Sequence, residues 1–120
     1  MLPANRFVAN RAIDYKEWIE VRRNGVTASD ISMSATAASV TRASKFRDIP
    51  DTPEMRFGRE YEFTISNFLK KEFGVMPNEW VIAGETSWHL ATPDGLSLDH
   101  TIVSEIKTTG KDWGSWEKCP

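Results

Sequence analysis

The segment that decides the fold is residues 91–107, with the sequence ATPDGLSLDHTIVSEIK. The steps PDG at 93–95 and DH at 99–100 are typical of turns, and they bound two short runs with the composition of β-strands, at 95–99 and 102–107. Two further runs of this kind lie at 79–83 and 87–92, and the second overlaps the start of the segment. The four runs predict consecutive short strands joined by tight turns, largely antiparallel.

Helical patterns occupy the chain before these strands. The first runs from Asp14, a predicted N-cap, to about Arg23, and Gly25 ends it. A second is predicted to begin at Thr27, where Thr-Ala-Ser-Asp resembles a capping box, and to continue to about Ala38. Residues 39–53 are rich in Ser, Thr and Arg and are predicted to form a loop.

The longest predicted helix spans 53–73. Thr52 is a suitable N-cap, Pro53 suits the first helical position, and Gly74 suits the C-terminal end. Helices followed by a run of strands predict a single α+β domain over residues 1–120, with a mixed or antiparallel sheet flanked by helices.

Composition excludes several classes of protein. The chain has 120 residues, 40% of them hydrophobic and 27% charged, as in ordinary globular domains. No run approaches the roughly 20 apolar residues of a membrane span, and the N-terminus lacks a signal-peptide core, so a cytoplasmic protein is expected. The single cysteine, Cys119, excludes an internal disulfide and any multi-cysteine zinc or iron–sulfur site.

Charge is distributed unevenly. Residues 1–47 carry a net charge of +4, and residues 48–120 carry −6. This asymmetry indicates a basic surface for an anion beside an acidic region for a cation, although two solvated faces would give the same pattern.

Three residues of the deciding segment form a candidate metal site. Glu105 and Lys107 are two apart in a β pattern and therefore project from one face, with Ile106 on the other. A hairpin would bring the turn residue Asp94 beside Glu105. Two carboxylates with a backbone carbonyl suit Mg²⁺ or Mn²⁺, and a neighbouring lysine can orient or deprotonate the attacking water. Taken singly, the turn acid and the Glu/Lys pair are more often structural features.

A third carboxylate is predicted from the helical wheel of residues 53–73, at about 100° per residue. Phe57, Tyr61, Ile65, Phe68 and Leu69 form the predicted apolar stripe. Glu62 falls inside the edge of this stripe, and Glu60 falls on the opposite arc. A carboxylate facing the sheet requires a cationic partner, which is either a metal ion or an arginine.

Together these residues resemble the PD-(D/E)XK nuclease superfamily. The elements are Gly58-Arg59-Glu60-Tyr61-Glu62, then Pro93-Asp94-Gly95, then Glu105-Ile106-Lys107. Within the superfamily, the chain is similar to the phage lambda exonuclease, or YqaJ-type viral recombinase, group. Arg22 and the sequence GVTASD at 25–30 match the N-terminal element of that group.

The resemblance implies a restriction-endonuclease-like core and assigns roles to individual residues. Asp94, Glu105 and the carbonyl of Ile106 would bind Mg²⁺, for which Mn²⁺ would substitute. Lys107 would serve the nucleophilic water, and Glu62 would support the metal. Arg22 and Ser29 would contact the 5′-phosphate of DNA. A helix that the family carries after the lysine is expected to be missing, since the sequence stops at Pro120.

The function implied is a metal-dependent 5′→3′ exonuclease that acts on double-stranded DNA ends in phage recombination. A homo-oligomer in the complete protein, a phage single-strand annealing protein as partner and a host-cytoplasmic location are expected with it. Two alternatives stay open: a structure-selective or restriction-type endonuclease of the same superfamily, and a catalytically inactive DNA-binding module.

Overall fold

The computed structural model describes residues 1–27, 50–110 and 114–118. This part of the chain contains two α-helices, seven β-strands and two short 3₁₀ helices. The α-helices are α1 (Tyr15–Asn24) and α2 (Pro53–Phe73), and the 3₁₀ helices are Ala4–Arg6 and Trp116–Lys118. The strands are β1 (Phe7–Asn10), β2 (Val26–Thr27), β3 (Val75–Pro77), β4 (Trp80–Ala83), β5 (His89–Ala91), β6 (Gly95–Ser97) and β7 (Val103–Ser104). The fold of this part is α+β, as predicted.

The strands form two sheets. The first has the order β1-β4-β5-β2, in which β2 is parallel to β5 and the other pairs are antiparallel. The second has the order β3-β6-β7 and is antiparallel. The consecutive strands β5 and β6 therefore belong to different sheets, which differs from the predicted continuous run. The chain changes sheet at Pro93, which has no N–H to donate to a strand neighbour.

The four predicted strands are present with shorter bounds, whereas β1, β2 and β3 were not predicted. The largest difference is in the last strand, which was expected at 102–107 and ends at Ser104. The N–H of Ile106 donates to the carboxylate of Asp94 at 2.6 Å, so it is not available to a strand partner. The site residues Glu105 and Lys107 consequently follow the strand and do not lie within it.

The helix ends agree with the sequence. Asp14 caps α1 by accepting the N–H of Glu17 at 3.1 Å, and Thr52 caps α2 by accepting the N–H of Met55 at 3.2 Å. Gly74 ends α2 with φ of +66°, a conformation that glycine adopts without strain. Thr27 is the last residue of β2, and the remainder of the helix predicted from it lies outside the described residues, as does the predicted loop up to residue 49.

The buried core lies between α1 and the four-stranded sheet. Its members are Ala9, Trp18, Val81, Ala83 and Leu90, with Ile19 and Val21 packed against them. Helix α2 contacts β3 of the second sheet. Neither helix in the described part is long and apolar enough to cross a membrane.

The predicted apolar stripe of α2 is confirmed only at Ile65 and Leu69, which are half-buried. Phe57, Tyr61 and Phe68 are exposed, at 40%, 49% and 55%. The half-buried positions of the helix are Gly58, Glu62, Ile65, Ser66 and Leu69, and the capping residue Thr52 is half-buried as well. On a wheel of about 100° per residue the five helical positions share one arc, and Glu62 lies near its centre. Glu62 therefore faces the protein more directly than the stripe suggested, and Glu60 is exposed, as predicted.

Candidate functional site

Asp94 lies at the open end of a hairpin, directly before its first strand. Strands β6 and β7 pair as Gly95 with Ser104 and Leu96 with Val103, so the predicted hairpin is present. The Asp94 N–H donates to the Ser104 carbonyl at 3.1 Å, and its Oδ2 accepts the N–H of Ile106 at 2.6 Å. These two bonds fix the Asp94 carboxylate against the segment that carries Glu105 and Lys107.

Gly95 permits this close approach. A Cβ atom at this position would collide with Oγ of Ser104 and would lie 2.8 Å from Cγ1 of Val75 and 3.2 Å from the Met76 carbonyl oxygen. The glycine of the PDG turn is therefore required for strand packing on both of its sides. Its backbone is not in the left-handed region, so packing is the reason for glycine here.

Glu105 and Lys107 meet beyond the end of β7. Lys107 Nζ lies 2.8 Å from Oε1 of Glu105, and their side chains are 83% and 60% exposed. The pKa of Lys107 is raised, mainly by this hydrogen bond and the charge of Glu105, with smaller contributions from Asp94 and Glu62. The same-side placement expected from the spacing is present, although the backbone there is no longer a strand.

Glu62 faces the same carboxylates from α2. Burial is the main cause that raises its pKa, and the charge of Asp94, a hydrogen bond to Asp94 and the charge of Glu105 raise it further. Thr108 reinforces this placement, since a Cβ on Gly58 would lie 3.4 Å from its Oγ1, so α2 passes close to the segment after β7.

Arg11 is a second cation whose charge acts on Glu62. Its charge lowers the pKa of Glu62, against the effects of burial and of the neighbouring carboxylates. Its own ion pair, however, is with Glu79, at 2.6 Å. Among the described residues, no arginine forms an ion pair with Glu62.

The donor set suits a hard divalent cation. Three carboxylates repel one another at close range, and a cation with oxygen ligands would relieve that repulsion. Within the described ranges, no three Asp, Glu, His or Cys side chains already form a metal cage. In this arrangement the carboxylate of Glu105 is paired with Lys107. The oxygen donors of these residues are the type that Mg²⁺ and Mn²⁺ prefer.

A cleft of about 630 Å³ reaches one of the three carboxylate residues. Glu105 lines it, together with the basic or titratable side chains of Arg6, Arg22, His89 and His100. The Arg22 guanidinium lies over the ring of Trp18, 4.5 Å from its centroid. The predicted phosphate ligand Arg22 and the predicted metal ligand Glu105 therefore share one cavity. Ser29, the other predicted phosphate ligand, lies outside the described residues.

The sequence did not single out Thr92, Arg6, His89 or His100. The hydroxyl oxygen of Thr92 is buried, has no hydrogen-bond partner within the described part of the chain, and belongs to a residue that lines the cleft. Arg6 is held by its Nε, which donates to the Ala83 carbonyl at 2.8 Å, and Nδ1 of His100 accepts the N–H of Leu2 at 3.0 Å. Only the position of Thr92, directly before the PDG turn, carried a signal in the sequence.

Comparison with known protein families matches residues 17–115 to the YqaJ-like viral recombinase domain. The chain belongs to the YqaJ-like viral recombinase family. The matched range includes Arg22, Glu62, Asp94, Glu105 and Lys107. Neither the curated proteins nor the solved structures contain a significant match. The family part of the predicted resemblance is thus confirmed, while placement in the PD-(D/E)XK superfamily stays a prediction.

Proposed function

We propose that this YqaJ-like recombinase domain is a metal-dependent deoxyribonuclease, and specifically a 5′→3′ exonuclease that acts on duplex ends in phage recombination. The observation that carries the proposal is the bond between Asp94 and the backbone of Ile106. It holds Asp94 against the segment that carries Glu105 and Lys107, and the charges of Asp94 and Glu105 raise the pKa of Glu62 on α2.

Each residue has a role that its position supports. Asp94, Glu105, the carbonyl of Ile106 and Glu62 would hold Mg²⁺ or Mn²⁺ through oxygen atoms. When bound, the ion would polarise the phosphodiester and lower the pKa of a bound water. Lys107 would orient the attacking water, since its ammonium group lies beside Glu105, one of the carboxylates proposed to hold the metal.

Arg22 supports action at a 5′ end. Its guanidinium is fixed by the ring of Trp18 in the cleft that Glu105 also lines. An arginine can bind phosphate through two parallel hydrogen bonds, which positions a strand without reading its bases. A terminal phosphate held at Arg22 would direct the adjoining phosphodiester toward the carboxylates, as exonuclease action requires.

The test is digestion of linear and covalently closed circular duplex DNA with Mg²⁺, with Mn²⁺ and with EDTA. An exonuclease degrades only the linear form and only with metal. Loss of both forms indicates the endonuclease alternative, and loss of neither indicates a non-catalytic DNA-binding module and overturns the proposal. Lys107→Ala is the matched control for contaminating nucleases, since it removes the ammonium group and leaves the three carboxylates.

A further inference from the structure

Trp88 is an exposed indole in a polar turn. The turn connects β4 and β5 through the sequence GETSW at 84–88, and the Trp88 side chain is 55% exposed. A single exposed aromatic residue is common on protein surfaces and implies nothing by itself. Its surroundings supply the further observations.

The turn holds Trp88 in place. The Trp88 carbonyl accepts the N–H of Val26 at 2.8 Å, the N–H of His89 donates to Thr86 at 3.0 Å, and the N–H of Gly84 donates to His89 at 2.7 Å. The rings of Trp88 and His89 are in contact, with centroids 4.1 Å apart and planes inclined at 69°. The indole therefore projects into solvent from a hydrogen-bonded turn and contacts the ring of His89.

This surface borders the cleft. His89, which contacts the indole, lines the cavity, and so does Val26, whose N–H binds the Trp88 carbonyl. The same cavity is lined by the guanidinium-bearing Arg6 and Arg22. An aromatic surface beside a cationic groove is the combination by which proteins hold a single nucleic-acid strand, since bases stack on the ring while cations bind the phosphates.

We propose that Trp88 stacks on a nucleobase of the DNA strand whose phosphate lies in the cleft. The inference rests on the proposed function for the presence of DNA, and adds a base contact that tolerates all four bases, because each has a π face. Trp88 would hold the nucleotide next to the bound phosphate and so limit its rotation in the site.

The test is a binding cycle without hydrolysis. A short 5′-phosphorylated single-stranded oligonucleotide is titrated in EDTA against the wild type, Trp88→Ala and Trp88→Phe, and then against oligonucleotides with one abasic site, scanned from the 5′ end. Trp88→Ala should weaken binding to the intact strand roughly tenfold, within the range of about five- to a hundredfold expected for one stacked base. Trp88→Phe should retain most of the affinity.

At one position of the scan, the abasic site should weaken wild-type binding by the same factor. For that oligonucleotide, Trp88→Ala and the wild type should bind with equal affinity. Phe63→Ala is the control, because Phe63 is 71% exposed and lies on α2, no residue of which lines the cleft, whereas Gly84 and His89 at the two ends of the Trp88 turn do. It should bind like wild type with every oligonucleotide.

The proposal is overturned if Trp88→Ala loses as much affinity, relative to the wild type, for every abasic strand as it does for the intact strand. A change of oligomeric state in Trp88→Ala by sedimentation would overturn it as well, and would assign the indole to a contact between copies. If the coupling is found and no metal condition yields hydrolysis, only the nuclease proposal fails. If wild type hydrolyses DNA without the coupling, only the stacking proposal fails.

Discussion

Replacing Glu62 with glutamine should stabilise the metal-free protein at neutral pH. In the folded state, burial and the nearby Asp94 and Glu105 raise the pKa of Glu62. The folded protein therefore favours the protonated carboxyl. The free energy of unfolding falls as pH rises from the pKa of Glu62 in the unfolded chain, about 4.3, through its raised pKa in the folded protein. Glutamine has the shape of the protonated form and carries no charge, so Glu62→Gln avoids this loss.

The expected gain is modest because solvent still reaches the half-buried side chain and screens its charge. We expect about 0.5 kcal/mol, which corresponds to a rise of roughly 2 °C in Tm for a domain of this size. Thermal unfolding in EDTA, followed by circular dichroism from pH 4 to 8, measures it. The difference from wild type should vanish near pH 4. Adding Mg²⁺ should reverse the order, since the ion stabilises only the protein that binds it well.

Glu60→Gln is the matched control, because Glu60 lies on the exposed arc of the same helix. It should change neither Tm nor the response to Mg²⁺. In a nuclease assay, Glu62→Gln should depress catalysis strongly and Glu60→Gln should hardly affect it. A Glu62→Gln protein less stable than wild type in EDTA would show that Glu62 has a stabilising cationic partner. Equal losses of activity in the two variants would contradict the assignment of the helix face.

Four further predictions use other residues. Asp94→Ala should abolish Mn²⁺ binding in calorimetry, and unchanged Mn²⁺ binding would make the ligand assignment wrong. The same variant should destabilise the fold by about 1.5–3 kcal/mol, because the N–H of Ile106 loses a charged acceptor. Arg22→Ala should lose most of the preference for 5′-phosphorylated over 5′-hydroxyl ends in parallel digestions, with metal affinity intact. Hydrogen bonds from Ser97 and Thr101 lower the pKa of Asp99 to about 2, so its contribution to stability is present above pH 4 and is lost as pH falls toward 2; Asp99→Asn should lower Tm at pH 7 and have a smaller effect at pH 2. Thr52→Ala removes the cap of α2 and should cost about 1 kcal/mol in urea unfolding, whereas Thr52→Ser should cost little.

Local signals in the sequence located the helix ends and the hairpin. Asp14 and Thr52 cap helices by bonding N–H groups three residues away, and Gly74 ends α2 through its own backbone conformation. The Glu105–Lys107 pair also depends on near neighbours. Interactions of this range can be predicted from the order of residues, and the family was recognisable from the same segments.

The covered side of α2 was not predictable in the same way. A helical wheel gives the angles between side chains, but it does not give the arc that the rest of the protein covers. The sequence favoured the aromatic arc with Phe57 and Tyr61, whereas the fold covers the arc of Gly58 and Glu62. Glycine at 58 allows a close approach on that side, and the approach is made by Thr108, which lies far along the sequence.

The sequence by itself determined the residue types of the site, the turn that carries Asp94, and the family. Tertiary structure alone decided that the strands divide into two sheets, that β2 runs parallel to β5, and that Arg22 and Glu105 consequently line one cleft. The physical reason is the range of the interactions. Caps and turns are satisfied within a few residues, whereas strand pairing and burial depend on partners that only the folded chain brings together.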